Sequence, residues 1–398
     1  MLSRLIQSVT LPIGIDLGAS GAKMVQLRWS RSGLSLLAAL RVEADPEAHS
    51  EEEAMASVVQ GIARRLDAGR FVGKRCVLSL PDSLISVRSL RMPRMSDEET
   101  AGAVRLDGAE RLGFKDVAAE IAWVRAGEVR HGEEVRDEVI LVGAERKRVE
   151  SIVDALAGVG LTPLAVEPAF VAAARALGRQ YRRQSDQKHV RLVVDVGWRS
   201  TGIPAVRGDK VAFYKQLEWG GERLDRAAAD ALGLAPGTVA EIRRQRFAGG
   251  LGETGVDPRV ERAVFDAVRP MLGELAHEVT LCLRYYLVTF RGDKPQCVLV
   301  VGGEADEPRL AEVIAESTGI ETRVARPLEG VDLAGAALGG ADRRGSMAQW
   351  AVAAGLSLRM EPRSRRNKGA SEAEPEASAG GEPSDGQSGP GEGRRQAA

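Results

Sequence analysis

Two aspartates carry the strongest chemical signal in this chain, because each ends an apolar run and precedes a glycine turn. Asp16 lies in Ile13–Lys23, IGIDLGASGAK, and Asp195 lies in Leu192–Gly202, LVVDVGWRSTG. A bare carboxylate at the end of a buried strand is costly, so each calls for a cation. Mg²⁺ suits the position, held through waters that it gives up reluctantly. Beyond Asp16, the residues Gly18, Ala19, Ser20 and Gly21 are small enough for backbone N–H groups to approach phosphate oxygens, and Lys23 adds positive charge. Gly197, Ser200 and Thr201 repeat the pattern after Asp195. One strand–Asp–x–Gly turn is a weak signal, since any strand–turn–strand unit can produce it. Two copies facing one another make a clamp, with one loop on each side of a phosphate chain.

A third element completes a nucleotide site. Val298–Leu310, VLVVGGEADEPRL, runs a strand-like segment into Gly302–Gly303 and then toward a helix near Pro308. Bare backbone at those glycines lets a flat ring lie against it. Glu304 follows directly, and Gly220–Gly221 in LEWGGERLD opens a helix facing the same ring. ATP with Mg²⁺ is the cofactor that this set predicts. Glu167, before Pro168, is the candidate to position an attacking water; a carboxylate favoured at a helix start is the simpler reading.

The elements that must carry these loops are legible as strands mixed with helices, an α/β pattern. Strands are predicted at Ile13–Leu17, Ala22–Trp29, Val77–Leu80, Leu84–Met92, Val139–Val142, Arg191–Val196 and Cys297–Val301. Ser96–Leu112 opens with a capping box, Ser96 and Glu99. Arg148–Val159 closes at Gly160, and Leu272–Phe290 carries one wide apolar stripe. RRQSDQKH, Arg182 to His189, reads as a loop between two related halves.

Composition narrows the function classes. A net charge of −1 and 4% aromatic residues argue against nucleic-acid binding. Cys76, Cys282 and Cys297 sit in apolar runs without disulfide or zinc spacing, so a reducing, cytoplasmic setting is expected. The four histidines are scattered. No apolar run approaches the roughly 18 residues of a membrane span. From Glu361 to Ala398 the chain has no Val, Ile, Leu, Phe, Tyr or Trp, and such a tail is expected to be disordered.

The three glycine motifs together resemble the actin-like ATPase superfamily, a ribonuclease-H-like fold of two related halves. Three further segments resemble the PilM family of type IV pilus assembly proteins, relatives of the division protein FtsA. They are Leu80–Glu99 with Asp107–Phe114, then Val139–Pro168, then Gln349–Arg359. The resemblance implies an FtsA/PilM-type inserted subdomain that binds the N-terminal peptide of a PilN-like inner-membrane protein. It also implies a cytoplasmic scaffold at the inner face of the membrane, contacts with other pilus components, and self-association. Applied to this chain, it gives the first half over 1–75, the insert over 76–160 and a return to the first half over 161–190. The second half then spans 191–340, a terminal helix 341–360 and the tail 361–398. An FtsA-like division protein and a small-molecule kinase of the sugar-kinase type are the alternatives. FtsA-like membrane binding needs a C-terminal amphipathic helix, and the polar tail offers none. A kinase needs a catalytic Asp beside a substrate hydroxyl, and none stands out.

Deleting residues 361–398 is expected to move the melting temperature by no more than about 1 °C, since the segment has no apolar area to bury. A thermal melt of the truncated chain checks this; a drop of several degrees means that the tail docks.

Overall fold

The structure, a computed structural model, describes residues 8–66, 68, 70–131, 134–181, 189–208, 210–248, 257–290, 293–339 and 345–359. The expected tail and most of the loop at 182–189 lie outside the described residues.

The internal repeat is the organising feature. In the first half, β1 (Val9–Gly18), β2 (Gly21–Ser30) and β3 (Gly33–Glu43) form an antiparallel meander. After α1 (Glu51–Arg65), β4 (Arg75–Ser79) pairs parallel with β1. In the second half, β9 (Val190–Val196), β10 (Thr201–Arg207) and β11 (Lys210–Leu217) repeat the meander, and β12 (Cys297–Val301) pairs parallel with β9. A further parallel strand extends each sheet: β8 (Thr162–Val166) beside β4, and β13 (Thr322–Val324) beside β12. The orders β3-β2-β1-β4-β8 and β11-β10-β9-β12-β13 are therefore the same plan twice. Asp16 and Asp195 end equivalent central strands, which are buried on both faces and read as near-continuous apolar runs.

Between these halves stands a third sheet, β5-β7-β6, formed by β5 (Ile85–Pro93), β6 (Ala119–His131) and β7 (Glu134–Glu145). Helix α2 (Asp97–Arg111) covers one face through Val104, Leu112, Val139 and Leu141. Its capping box is present: the Glu99 amide donates to Ser96 Oγ at 3.2 Å, and the Ser96 amide donates to Glu99 Oε2 at 2.8 Å. The insert is narrower than the 76–160 expected. β4 is a full member of the first sheet, and α3 (Arg146–Gly158) packs beside β8. The separate sheet and its helix span residues 85–145.

The second half also ends sooner than 340. Asp332 bridges to Ser35, and β14 (Ala337–Gly339) pairs parallel with β3, so this stretch belongs to the first sheet. The turn then leads to α9 (Ala351–Ser357), which lies on β1 and against α4 (Ala169–Gly178). Both helices are rich in small residues and approach very closely: a Cβ on Gly355 would collide with the Ala172 carbonyl, and a Cβ on Gly14 with the Ala353 carbonyl.

Helices α5 (Gly221–Leu232), α6 (Pro236–Ala248), α7 (Pro258–Phe290) and α8 (Leu310–Thr318) belong to the second half. α7 starts well before the predicted Leu272 and runs through Pro270. Val264 and Val268 extend its buried stripe N-terminally, and that packing outweighs a proline cost of about 3 kcal/mol.

Gly355→Ala is expected to destabilise the fold by at least about 2 kcal/mol, because backbone must move to admit one methyl group. Gly178→Ala, where a Cβ meets nothing within 4 Å, serves as the neutral control. Urea unfolding of both variants decides whether the helix crossing is as tight as described.

Candidate functional site

The two repeated turns meet across a cleft. β1 and β2 are joined so tightly that Gly18 pairs with Gly21, whose φ of +130° favours glycine. In the second turn the Gly197 amide donates to the Ser200 carbonyl at 2.9 Å. Gly302 has φ +99°, and a Cβ there would collide with the Val196 carbonyl and the Asp195 carboxylate. The glycine after β12 is thus required by its approach to Asp195, a physical reason the motif alone does not supply.

Asp16 accepts from Ser79 Oγ at 3.0 Å and faces Lys23 Nζ at 3.5 Å. Asp195 is half-buried in the cavity wall. That burial, with the Asp16 and Asp82 charges adding to it and Lys23 opposing, raises its pKa from 3.8 to about 7. Asp82 is a third carboxylate in the same space. Burial raises its pKa too, against the hydrogen bond from Ser200 Oγ, which reaches Asp82 Oδ2 at 2.5 Å. Phe170 stacks on Tyr214 at 4.1 Å between ring centres and walls the site.

The cavity holds about 100 Å³, several water molecules' worth of space. Asp16, Gly18, Ala19, Ser20, Lys23, Asp195, Gly197, Ser200, Gly302 and Gly303 line it, together with Trp198. The remaining candidates lie elsewhere. Gly21 packs under the Val42 carbonyl, and Thr201 is buried and donates to the Trp219 carbonyl at 2.7 Å. Gly220 lies against Trp198 backbone, and Gly221 against the Glu304 carboxylate. Glu304 itself is bound to Arg243 at 2.5 Å.

Glu167 does not reach the cavity. Both its oxygens accept from Arg175, at 2.7 and 2.5 Å, and Arg175 also donates to the Gly355 carbonyl at 2.8 Å. Its role is to aim Arg175 at the backbone of α9, so the water-positioning assignment is withdrawn. Asp82, Ser79, Phe170 and Tyr214 were missed. The available signal for Asp82 was Pro81–Asp82, a polar turn directly after a strand.

A nucleotide therefore fits in part. Two glycine turns, Asp16, Asp195 and Lys23 suit phosphates with a water-bound Mg²⁺. Among the described residues no group of three or more His, Cys, Asp or Glu side chains is placed to hold a metal directly. The ring end does not fit, because Glu304 fills the space beside Gly221.

Asp195 makes stability depend on pH. Its folded pKa lies above the unfolded value, so the stability conferred by its protonated form is complete below about pH 4 and is lost as pH rises through about 7. Asp195→Asn should match the wild type near pH 4 and exceed it at pH 8 by on the order of 2–4 kcal/mol. Urea unfolding across that range checks it; parallel pH profiles would contradict the assignment.

Comparison with known proteins agrees with this architecture. The family model described as type IV pilus assembly protein PilM matches residues 14–361. A solved PilM–PilN type IV pilus biogenesis complex aligns at 23% identity, covering 87% of this chain and 97% of that one, with a TM-score of 0.71. The ethanolamine utilization protein EutJ from Carboxydothermus hydrogenoformans aligns at 15% identity over 89% and 91% of the two chains, TM-score 0.48. The archaeal actin homologue Ta0583, solved with ADP, aligns at 14% identity over 87% and 98%, TM-score 0.41. No curated protein matches the sequence. With the family model spanning both repeated halves and the insert between them, the chain belongs to the PilM family of type IV pilus assembly proteins.

Proposed function

We propose that this chain is a scaffold of type IV pilus assembly that holds the short N-terminal peptide of a PilN-like inner-membrane protein. The observation that carries the reading is the insert sheet, which offers a strand edge with no partner among the described residues. β6 leans on β11 and α7 of the second half, whereas β5 forms the outer edge. Leu90 and Met92 of β5 pack against the cluster under α2, which anchors the edge strand. An extended peptide adds to such an edge through main-chain hydrogen bonds, with its alternate side chains in pockets. A rigid edge lowers the ordering cost of that addition.

The cleft enters the same reading. Asp16 and Asp195 would hold Mg²⁺ through water, and the turns at Gly18–Ser20 and Gly197–Ser200 would hold phosphates. Bound Mg²⁺ would supply the positive charge that the three carboxylates lack. Asp82 lies three residues before β5 and is tied to Ser200 of the second turn. A movement at the phosphate turns therefore acts on the β5 edge through a short rigid link, and linkage makes the influence mutual.

Among the described residues no helix is long and apolar enough to cross a membrane. Recruitment to the inner face of the membrane falls to the partner.

Full-length chain used as bait on inner-membrane extract, with and without ATP–Mg²⁺, tests the proposal. The expected catch is a single-pass membrane protein with a short cytoplasmic N-terminus. Recovery of no such protein under either condition sinks the reading.

A further inference from the structure

Arg243, on α6, is among the largest fully buried side chains. Its guanidinium donates to Asp225 Oδ1 at 2.7 Å, to Glu307 Oε2 at 2.8 and 3.0 Å, to Glu304 Oε2 at 2.5 Å and to the Gly221 carbonyl at 3.2 Å. Arg246 is as deeply buried and donates to Glu307 Oε1 at 3.2 Å. Five charged groups from α5, α6 and the segment between β12 and α8 thus form one dry network. Burial is the largest influence on Asp225 and on Glu304, raising both pKa values, with Arg243 opposing. Removing the Arg243 guanidinium would take the cation from Asp225 and Glu304 and leave Glu307 with Arg246 alone, so Glu304 keeps its position only while Arg243 is there.

Its position matters more than its strength. The glycine motifs lead one to expect a flat ring between Gly302–Gly303 and Gly220–Gly221. Gly302 and Gly303 line the cavity; Gly220, Gly221 and Glu304 do not. The space at Gly221 is taken by the Glu304 carboxylate, which would collide with any Cβ there. Glycine at 221 leaves a slot, and this chain fills that slot with its own side chain. The cavity that remains is lined by the two phosphate turns and both aspartates and does not extend to Gly221.

We propose that Glu304, locked by Arg243, plugs the ring end of the cleft, so that the site admits phosphate–cation ligands while excluding the nucleoside. The inference rests on the phosphate reading of the cleft and is independent of the partner peptide.

Calorimetric titration of the full chain with inorganic triphosphate–Mg²⁺ and with ATP–Mg²⁺ tests it. The wild type should bind triphosphate at least as tightly as ATP. Glu304→Gly should tighten ATP by about tenfold or more and leave triphosphate unchanged. Glu304→Gln, of the same size, should bring no gain. Glu304→Gly leaves Arg243 paired with Asp225 and Glu307, and a thermal melt confirms that it folds; if it does not, the wild-type comparison of the two ligands still decides. The plug is overturned if wild type prefers ATP by about tenfold, or if folded Glu304→Gly gains nothing for ATP. Triphosphate binding without an effect of Glu304 removes the plug alone. Absence of triphosphate binding in every variant removes the phosphate reading with it.

Discussion

Like charges brought together in an enclosed cleft are the constraint on which this architecture turns. Asp16, Asp82 and Asp195 converge where the two halves meet, with Lys23 opposing them. In a low-dielectric gap such a group either takes up a proton or attracts a cation. The halves can approach only as far as that balance allows. Strands β1 and β9 hold the carboxylates because both are central, buried on two faces and unable to shift register without turning apolar side chains outward. The confrontation of Asp16 and Asp195 is therefore built into the scaffold, and Asp82 joins it from the turn between β4 and β5.

Much of this was legible in the sequence, for identifiable reasons. Asp16 and Asp195 announced themselves because buried central strands read as near-continuous apolar runs, so a carboxylate at their ends stands out. Ser96 and Glu99 marked the start of α2 because capping depends on neighbours three residues apart. What escaped were contacts between distant segments. Nothing local shows that Glu304 turns back to Arg243, 61 positions away, or that Glu167 serves Arg175 and α9. The helix predicted from Leu272 starts at Pro258 instead, because local propensity opposes a helix through Pro270 while the burial that carries α7 through it is tertiary. The insert was drawn too wide because β4 and α3 flank it in sequence yet pack with the first sheet. Asp82 was hidden for the same reason: the turn that leads to the insert folds inward to the cleft.

The cleft and the insert also differ in how they are held. The cleft is bridged by a polar contact, Ser200 on Asp82. The insert leans on the second half through apolar surfaces that include Ala126, Ile140 and Val142 against Val206, Val211 and Leu299. Polar contacts at a cleft respond to ions and pH, whereas apolar ones set a lasting orientation.

The completion of the first sheet by β14, and the seating of α9 on β1, bear on how the chain comes to fold during synthesis. β3 waits for residues 337–339 before it gains its outer neighbour, and β1 waits for 351–357 before it is covered. The second sheet draws all its strands from 190–324. On the ribosome, the half made first is the half finished last. Its meander must stay partly uncovered while most of the chain emerges, which invites chaperone attention and favours slow, late closure. The second half, continuous in sequence, is the natural template on which that closure happens.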